Sequence, residues 1–271
     1  MTELSGQPRI VAGYGRSGTT WLQDVVAEAN GLRSVFEPLH PDVIVQARPF
    51  ANCCLGRHDR EPALEEYLAR VFAGDFHSVW SDYRIRRDRL LPQPRSLASP
   101  AEIKRYFRRF RQAARYVRRY RDQARRPTSL VKMIRANMML SWLRQTFDAR
   151  IVLIIRHPGA VVLSQLNAPD IWRPEELVRR YRADDRLRER LAVPVIRLLD
   201  SDLNPVDALA LSWSIENAIA LDQAAEADVT IIFYEDLVRN GRIEWRRAID
   251  ALDLDVMPNS EAVAQPSQQT W

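Results

Sequence analysis

Apolar residues along this chain form short runs that alternate with longer, periodic stretches. The short runs predict buried strands at 9–14, 35–36, 129–134, 150–155 and 229–234. Apolar residues spaced three and four apart predict helices at 18–30, 62–73, 138–147, 158–166, 174–190 and 205–227, with a basic helix after Pro100 and a last helix after Tyr234. Strands separated by helices imply a parallel sheet covered on both faces, so the sequence predicts an α/β, three-layer sandwich with a central parallel sheet.

The length and composition favour one domain. The chain has 271 residues, of which 46% are hydrophobic, which is enough for one large α/β domain with a real core. The sequence shows no internal repeat and no linker that would divide it. We therefore expect a single domain over residues 1–271.

The net charge, the cysteines and the lack of targeting or membrane segments limit the ligands, metal sites and location that we expect. The 40 basic and 35 acidic residues give a net charge of +5, which favours anionic ligands. The two cysteines, Cys53 and Cys54, are adjacent, and the sequence offers no zinc motif. The first residues lack an apolar signal region and runs such as 151–155 are too short to span a bilayer, so we expect a cytoplasmic protein without a transmembrane segment. Nothing in the sequence indicates the oligomeric state.

A loop that follows the first predicted strand has the form of a phosphate-binding loop. Residues 13–21 read GYGRSGTTW, and Gly13, Gly18 and Thr20 fit the pattern G-x-x-x-x-G-K-[ST]. Thr19 stands where that pattern has its lysine. The loop therefore lacks the group that bridges the terminal phosphates of a nucleoside triphosphate.

The loop can still hold an anion. Backbone N–H groups of residues 16–20 can converge on one phosphate at the start of the helix, where the helix dipole assists them. Thr19 and Thr20 add hydroxyl donors, and Arg16 can contact a second anionic group attached to the first. The alternative is a tight strand-to-helix turn that binds nothing.

Three motifs together resemble those of one family. Gly13-Tyr14-Gly15-Arg16-Ser17-Gly18-Thr19-Thr20-Trp21 is similar to the 5'-phosphosulfate loop of sulfotransferases that use 3'-phosphoadenosine 5'-phosphosulfate (PAPS). That family also has an arginine after a strand, a proline two residues on and a serine eight residues on, as in Arg156, Pro158 and Ser164. The segment that starts at Tyr234, YEDL, resembles a third family motif. The matches run from residue 9 to about residue 253, which is most of the chain.

The resemblance implies a fold with a P-loop-like phosphosulfate loop, a donor and a set of binding residues. The donor is PAPS, its product is 3'-phosphoadenosine 5'-phosphate (PAP), and no metal is required. The implied binding residues are the loop residues Gly15, Arg16, Ser17, Gly18, Thr19 and Thr20 for the phosphosulfate, Trp21 and Tyr234 near the adenine, and Arg156 and Ser164 for the 3'-phosphate. The family's late Arg-Lys-Gly segment has no counterpart after Asp253, and whether it is absent or cut off stays open.

Two cations are candidates for the transferring group. Sulfuryl transfer should resemble phosphoryl transfer, with charge developing on the leaving phosphate oxygen. Arg16 is the first cation. The second is Lys132, one of only two lysines beside 38 arginines, at the end of a strand where the family has a lysine that reaches the transferring group. The alternative for Lys132 is a charge at a strand end that faces solvent.

The general base has two candidates in the sequence. Cytosolic family members have a histidine two residues after the strand lysine, where this chain has Ile134. Glu37, in the run FEPL, resembles a glutamate of carbohydrate sulfotransferases and is the first candidate. Its alternative role is a salt bridge to an arginine. His40 is the second candidate, and His157 has a structural role in this interpretation.

The basic helix after Pro100 is the remaining feature. Tyr106, Phe110, Ala113, Val117 and Tyr120 recur at spacings of three and four, which predicts a stripe that faces the core. The arginines between them predict a solvated face, and the alternative is a face that guides an anionic glycan or a lipid head group. No RNA-binding motif is present, so no nucleic-acid partner is expected.

These observations predict a PAPS-dependent sulfotransferase whose acceptor carries a hydroxyl group. Carbohydrates, including anionic ones, glycolipids and small natural products are the acceptor classes considered, and we expect the irregular segments 38–60 and 74–99 to line the acceptor side. Two alternatives are a P-loop kinase and a non-catalytic protein that binds a nucleotide or a polyanion.

Overall fold

All five predicted strands are present and form one parallel sheet. A computed structural model describes residues 6–86, 100–168, 171–259 and 263 of the chain. The strands are β1 Arg9–Ala12, β2 Arg33–Phe36, β3 Ser129–Met133, β4 Arg150–Ile155 and β5 Thr230–Phe233. Their order in the sheet is β2-β3-β1-β4-β5, and every neighbouring pair is parallel. The predicted strands are confirmed, whereas a single domain over residues 1–271 stays a prediction.

Helices fill the connections between the strands. They are α1 Thr19–Ala29, α2 Pro62–Phe72, α3 Val79–Tyr83, α4 Pro100–Tyr120, α5 Leu140–Phe147, α6 Pro158–Leu166, α7 Pro174–Arg182, α8 Asp185–Arg190, α9 Val193–Asp200, α10 Pro205–Glu226, α11 Tyr234–Arg239 and α12 Gly241–Ala251. Short 3-10 turns occur at Val45–Ala47, Gln123–Arg125 and Asn137–Met139. Within the described ranges, no helix is both long and apolar enough to cross a membrane.

The helix predicted at 174–190 is two helices. Asp184 has an extended backbone, with φ −95° and ψ 99°, and its side chain accepts a hydrogen bond from the N–H of Leu187 at 3.0 Å. An aspartate in this position caps the start of a new helix, so α7 ends and α8 begins there. The short helices α3 and α9 lie in stretches where no helix was predicted.

Two hydrophobic cores cover the two faces of the sheet. Successive strand residues point to opposite faces, so Ile10 and Ala12 belong to one core and Val11 belongs to the other. The first core includes residues of α2, α5 and α10, and the second includes residues of α1 and α12. The predicted α/β architecture of three layers is therefore confirmed.

The carboxyl ends of all five strands meet at one edge of the sheet. The residues that follow the strands along this edge are Glu37, Ile134, Gly13, Arg156 and Tyr234, in the order β2-β3-β1-β4-β5. Parallel strands expose their carboxyl ends together, which makes this edge the usual place for a ligand in an open α/β sheet. The fold thus brings motifs from both ends of the chain to one place.

The prediction of a core-facing stripe on α4, called the basic helix below, is wrong for two of its five residues, and two more are only half-buried. Tyr120 is buried, but Phe110 is 59% exposed and Val117 is 41% exposed. The basic helix packs on α3 near its own end, and most of its length lies outside the core. Periodicity shows that one face of a helix is apolar, but it does not show that another element covers that face.

A buried carboxylate fastens two loops to α10. Glu216 accepts hydrogen bonds from the side-chain amides of Asn52 at 2.8 Å and Asn137 at 3.2 Å, and from the hydroxyl of Tyr181. Desolvation raises the pKa of Glu216 from 4.5 to about 7, although its hydrogen bonds act in the opposite direction. The folded protein therefore keeps a proton on this group that the unfolded chain loses.

We predict that Glu216 makes the protein less stable as pH rises from about 4.5 to about 7. In this window the folded state binds more protons than the unfolded state, so the free energy of unfolding falls with pH, by roughly 3 kcal/mol in total. Glu216→Gln should remove that part of the slope in urea unfolding curves. Glu226→Gln, an exposed residue of the same helix, is the control and should keep it. An unchanged slope in Glu216→Gln would contradict the prediction.

Candidate active site

A cavity of about 1020 Å³ lies at the carboxyl edge of the sheet. Its charged lining residues are Arg16, Glu37, Lys132, Arg135, Arg156, Arg242 and Arg246. Its aromatic lining residues, apart from His40, are Trp21, Phe36, Trp80, Trp172, Tyr234 and Trp245. Among the described residues the lining thus has six cations and one carboxylate, so the cavity suits a ligand with several negative charges.

The glycine-rich loop leaves the start of α1 free for an anion. Gly18 precedes the helix with φ 95°, and in the described part of the chain no side chain caps the first turn. That turn also has no acidic residue. The first N–H groups of a helix have no partner within it, and together with the helix dipole they attract anions. Gly18, Thr19 and Thr20 all line the cavity.

Two glycines of the loop are required because aromatic rings lie close to them. A Cβ atom at Gly18 would lie 2.5 Å from Cδ2 of Tyr234, and one at Gly15 would lie 1.9 Å from Cη2 of Trp172. Neither ring could keep its place beside a larger residue. The loop is therefore held between Tyr234 on one side and Trp172 on the other.

Arg16, Arg156 and Ser164 meet around the loop. The Nε of Arg16 donates to Oγ of Ser164 at 2.8 Å, and Nη1 of Arg156 donates to the carbonyl oxygen of Arg16 at 3.1 Å. Burial lowers the pKa of Arg16, and the nearby charge of Arg156 lowers it further. The Nε of Arg156 is buried and has no hydrogen-bond partner among the residues that the structure describes. An unsatisfied cationic donor of this kind fits an anionic ligand.

Three of the predicted binding residues support the loop without lining the cavity. Gly15, Ser17 and Ser164 do not belong to the lining, although all three lie in or against the loop. The carbonyl oxygen of Gly15 accepts a hydrogen bond from the side chain of Gln165 at 3.1 Å. The other predicted binding residues, Arg16, Gly18, Thr19, Thr20, Trp21, Arg156 and Tyr234, all line the cavity.

An aromatic wall lies beside Arg156. The ring of Trp21 meets Tyr234 edge-on at 5.7 Å and Trp245 edge-on at 5.2 Å between centroids. The guanidinium of Arg156 lies 4.5 Å from the ring centre of Tyr234, within the range of a cation–π contact. These rings form an apolar, aromatic cluster next to a cation.

Lys132 lies inside the protein and lines the cavity, which contradicts the alternative that it is a strand-end charge facing solvent. Its Nζ is 3.1 Å from Oε1 of Glu37 and donates to Oγ1 of Thr20 at 2.9 Å, and it lies 3.9 Å from the ring centre of Phe36. Desolvation lowers the pKa of Lys132 to about 8, while the charge of Glu37 opposes that shift. The ammonium group thus joins β3 to the first turn of α1 and to the end of β2.

Glu37 is held by two cations and a backbone N–H. Besides Lys132, Oε1 accepts from the N–H of Ile134 at 3.1 Å, and Oε2 accepts from Nη1 of Arg135 at 3.1 Å. The residue adopts φ 46°, which is unusual for a non-glycine residue and turns the chain sharply after β2. The salt bridge considered as its alternative role is present, and the same carboxylate also lines the cavity.

His40 lines the cavity as a buried, neutral imidazole. Its Nδ1 accepts from the N–H of Asp42 at 3.3 Å, and its ring packs edge-on against Trp80 at 4.9 Å. Desolvation lowers the pKa of His40 to about 2, with further contributions from Arg135, Arg86 and Lys132. An imidazole with so low a pKa takes up a proton poorly.

Sequence reasoning missed several lining residues. Arg135 follows Lys132 by three positions, and Arg242 and Arg246 are one helical turn apart on either side of Trp245. Two arginines four positions apart, soon after the YEDL motif, form a pattern in the sequence that indicates a cationic helix face near that motif. Trp172 gave no signal, because its position over Gly15 depends on how the connection after α6 folds.

The irregular segments contribute less to the cavity than predicted. Of residues 38–60 only His40 lines it, and of residues 74–86 only Trp80 does. Residues 87–99, the rest of the second segment, lie outside the described part of the chain, as does the C-terminal stretch 264–271. Across the described ranges, no group of three or more His, Cys, Asp or Glu side chains is placed to hold a metal ion.

Comparison with known sequences finds one family. Residues 8–258 match the sequence model described as Sulfotransferase family. The match includes all five strands, the loop and every residue discussed above as lining the cavity. A comparison with curated proteins finds no match.

Several solved structures align with this chain, including the following three. "Sulfotransferase Domain from the Curacin Biosynthetic Pathway" aligns at 15% identity over 98% of this chain and 79% of that one, with a TM-score of 0.46. "Sulfotransferase Domain from the Synechococcus PCC 7002 Olefin Synthase" aligns at 21% identity over 98% and 80%, with a TM-score of 0.44. "Crystal structure of sulfotransferase STF9 from Mycobacterium avium" aligns at 17% identity over 95% and 66%, with a TM-score of 0.41. These similarities are too low to carry an argument about the ligands of this chain.

We predict that the ammonium of Lys132 titrates at about pH 8 in the free protein. The chain has only two lysines, so lysine-selective isotope labelling and NMR should give two side-chain signals, with exposed Lys104 as the internal comparison. Glu37→Gln removes the charge that opposes the shift and should lower the pKa of Lys132 further. A Lys132 signal that does not titrate below pH 10 would show that the ammonium is not desolvated as described.

Proposed function

The chain belongs to the sulfotransferase family, and from this premise we propose that it transfers a sulfuryl group from PAPS to a hydroxyl group of an acceptor. The observation that carries the proposal is the cavity lining, in which six cations and one carboxylate surround an uncapped helix start. Such a lining suits a donor with separate anionic groups at its two ends. When bound, the donor supplies the sulfuryl group, and PAP is the remaining product.

The described residues fit this donor. The N–H groups at the start of α1, with Thr19 and Thr20, form the phosphosulfate end of the proposed site. Trp21, Tyr234 and Trp245 form an apolar wall for a purine ring. Gly15, Ser17 and Ser164 support the loop from behind, and Ser164 orients Arg16 by accepting from its Nε.

Arg242 and Arg246 take the place of the family's Arg-Lys-Gly segment in this proposal. Both are exposed on α12 at the rim of the cavity, on the same side as Arg156 and the aromatic wall. A phosphate at the sugar end of the donor would then meet cations from the end of β4 and from α12. Paired arginines suit a phosphate because each guanidinium presents several donors in one plane.

Lys132 and Arg16 stabilise the charge that develops on the leaving phosphate oxygen. Lys132 contacts Thr20 at the start of α1, which places its ammonium group next to the loop. Burial excludes water from this ammonium, and a fixed cation in a dry site stabilises developing charge more than a hydrated one does. Arg16 serves the same oxygen from within the loop, where Ser164 and Arg156 fix its position.

Glu37 is the proposed general base. Each carboxylate oxygen can accept two hydrogen bonds, and the described donors occupy two positions on Oε1 and one on Oε2. Oε2 therefore keeps one position that can accept the proton of an acceptor hydroxyl. His40 is the weaker candidate because its low pKa leaves the imidazole a poor proton acceptor.

The acceptor enters beside Glu37 in this proposal. Trp80 and Arg135 line the cavity there, and Arg135 also contacts Glu37. An aromatic face next to a guanidinium suits a carbohydrate, or another hydroxyl compound that carries an acidic group. The class of acceptor is a proposal that rests on these two side chains.

We predict that the protein binds PAP without a metal ion. Calorimetric titration with PAP in EDTA should show binding, and ATP with magnesium should bind more weakly because the loop lacks the phosphate lysine. Arg156→Ala should weaken PAP binding by about 10- to 100-fold, as expected for a lost charge-assisted hydrogen bond. Arg239→Ala removes an exposed arginine that does not line the cavity, and should change PAP binding little.

The same titration separates the alternatives. A preference for ATP with magnesium would support a P-loop kinase and contradict the proposed donor. Loss of PAP binding in Arg242→Ala and Arg246→Ala would support their role at the 3'-phosphate. Their removal should leave the binding of adenosine 5'-phosphate, which lacks that group, largely unchanged.

We predict that Glu37→Gln loses turnover and keeps donor binding. Loss of a general base should reduce the rate by about 10²- to 10⁴-fold. Glutamine keeps the shape of the side chain and an acceptor for the N–H of Ile134. The rate is measured with radiolabelled PAPS and a panel of carbohydrate and phenolic acceptors, and PAP binding is measured alongside.

His40→Gln is the comparison for this test. It should retain most of the turnover, because the buried imidazole is not the base. Full turnover in Glu37→Gln, together with loss in His40→Gln, would transfer the role to His40. PAP binding with no transfer by the wild-type protein to any acceptor would favour a non-catalytic nucleotide-binding protein.

A further inference from the structure

The basic helix carries a charge that the proposed reaction does not use. It contains eight of the 40 basic residues and one of the 35 acidic residues of the chain, so its net charge is +7. The remaining 250 residues therefore carry a net charge of −2. All eight cations of the helix, Lys104, Arg105, Arg108, Arg109, Arg111, Arg115, Arg118 and Arg119, are exposed. The positive charge of this protein is thus concentrated on one helix.

The same helix has an exposed apolar face. Phe107 and Phe110 are each 59% exposed, Val117 is 41% exposed and Ile103 is 38% exposed. At 100° per residue, these four side chains lie on one face of the helix and the arginines lie on the adjoining face. Phenylalanine side chains exposed next to a band of arginines are typical of helices that lie in a membrane interface.

The body of the protein holds the end of this helix. Tyr120 is 2% exposed, its hydroxyl donates to Oδ2 of Asp24 at 3.4 Å, and its ring lies 4.4 Å from the guanidinium carbon of Arg84. Arg84 is itself buried and paired with Asp24. The anchor therefore uses the last turn and leaves the apolar and basic faces exposed.

We propose that the basic helix docks on the surface of a bilayer that contains anionic lipids. The arginines meet the lipid head groups, and Phe107 and Phe110 enter the boundary between head groups and acyl chains. A second copy of the chain suits this face less well, because it would bring two helices of charge +7 together. Double-stranded nucleic acid would engage the arginines and leave both phenylalanines in water, and binding of a single strand is an outcome of the test below.

The anchor also connects the docked helix to the cavity. The guanidinium carbon of Arg84 lies between the rings of Tyr120 and Phe36, at 4.4 Å and 4.7 Å from their centres. Phe36 lines the cavity, and so does Trp80 of the short helix on which the basic helix packs. A protein docked in this way holds the Glu37 end of the cavity near the lipid surface. The docking does not depend on which reaction the cavity performs.

Binding of the full chain to lipid vesicles tests the proposal. The probes are vesicles of phosphatidylcholine alone and vesicles that contain about 30% phosphatidylglycerol, with bound protein measured by sedimentation. We expect binding to the anionic vesicles to be at least about 10-fold tighter than to the neutral ones, and to weaken as salt is raised. Equal binding to both kinds of vesicle, or no binding to either, would overturn the proposal.

Two matched pairs of variants locate the contact. The first pair compares Arg108→Gln, Arg111→Gln, Arg115→Gln and Arg118→Gln together with Arg60→Gln, Arg179→Gln, Arg197→Gln and Arg239→Gln together. Each set removes four positive charges from exposed side chains. The set in the basic helix should weaken vesicle binding by about 100-fold or more, and the other set by less than about threefold. Equal losses would mean that net charge alone drives binding and would overturn the proposal.

The second pair tests the apolar face. Phe107→Ser with Phe110→Ser should weaken vesicle binding by about 10-fold, and Val193→Ser with Leu198→Ser, which replace side chains exposed elsewhere, should have little effect.

Retained PAP binding shows that each variant is folded. If the wild-type protein does not bind PAP, the melting temperature of each variant is compared with that of the wild-type protein instead. No loss with the phenylalanine variant would overturn the proposal, as would a dimer in solution that this variant abolishes. Binding of polyuridylate without binding of anionic vesicles would assign the helix to nucleic acid and overturn the proposal too.

Discussion

The site depends on one buried ammonium group at the end of the third strand. Lys132 is 3% exposed, and removing its charge from water is costly unless neighbouring groups replace the lost hydration. Three neighbours replace that hydration: the ring of Phe36 in β2, the carboxylate of Glu37 in the turn after β2, and the hydroxyl of Thr20 in α1. Pairing therefore fixes these elements relative to one another. Arg135, on the same carboxylate, leaves the cluster with a net positive charge next to the first turn of α1.

The order of strands divides the cavity into two ends. β1 lies in the middle of the sheet, and the chain leaves it toward β2 and β3 on one side and β4 and β5 on the other. The loop after β1 is therefore at the point where the strand order reverses, which is where open α/β sheets bind ligands. Glu37 and Lys132 lie on one side of that loop, and Arg156 and Tyr234 lie on the other. This separation matches a donor whose nucleotide lies at one end and whose reacting group lies at the other.

The basic helix is joined to the Glu37 end of the cavity by stacked side chains. Tyr120, Arg84, Phe36 and Lys132 alternate ring and cation, with each cation 3.9 to 4.7 Å from the ring centres beside it. Each cation in this series is buried and also paired with a carboxylate. The last turn of the basic helix and Glu37 are thus parts of one packed unit.

Sequence alone determined the features that depend on neighbours in the chain. Short apolar runs predicted all five strands, and the spacing of glycine and threonine predicted the loop before α1, because backbone conformation is set largely by local residue types. Burial and pairing were decided by tertiary structure. The N–H that holds Glu37 comes from Ile134, 97 residues away, and Phe107 is exposed because no other element within the described ranges covers it. Spacing shows which residues share a face, whereas desolvation and charge partners depend on what distant segments place against that face.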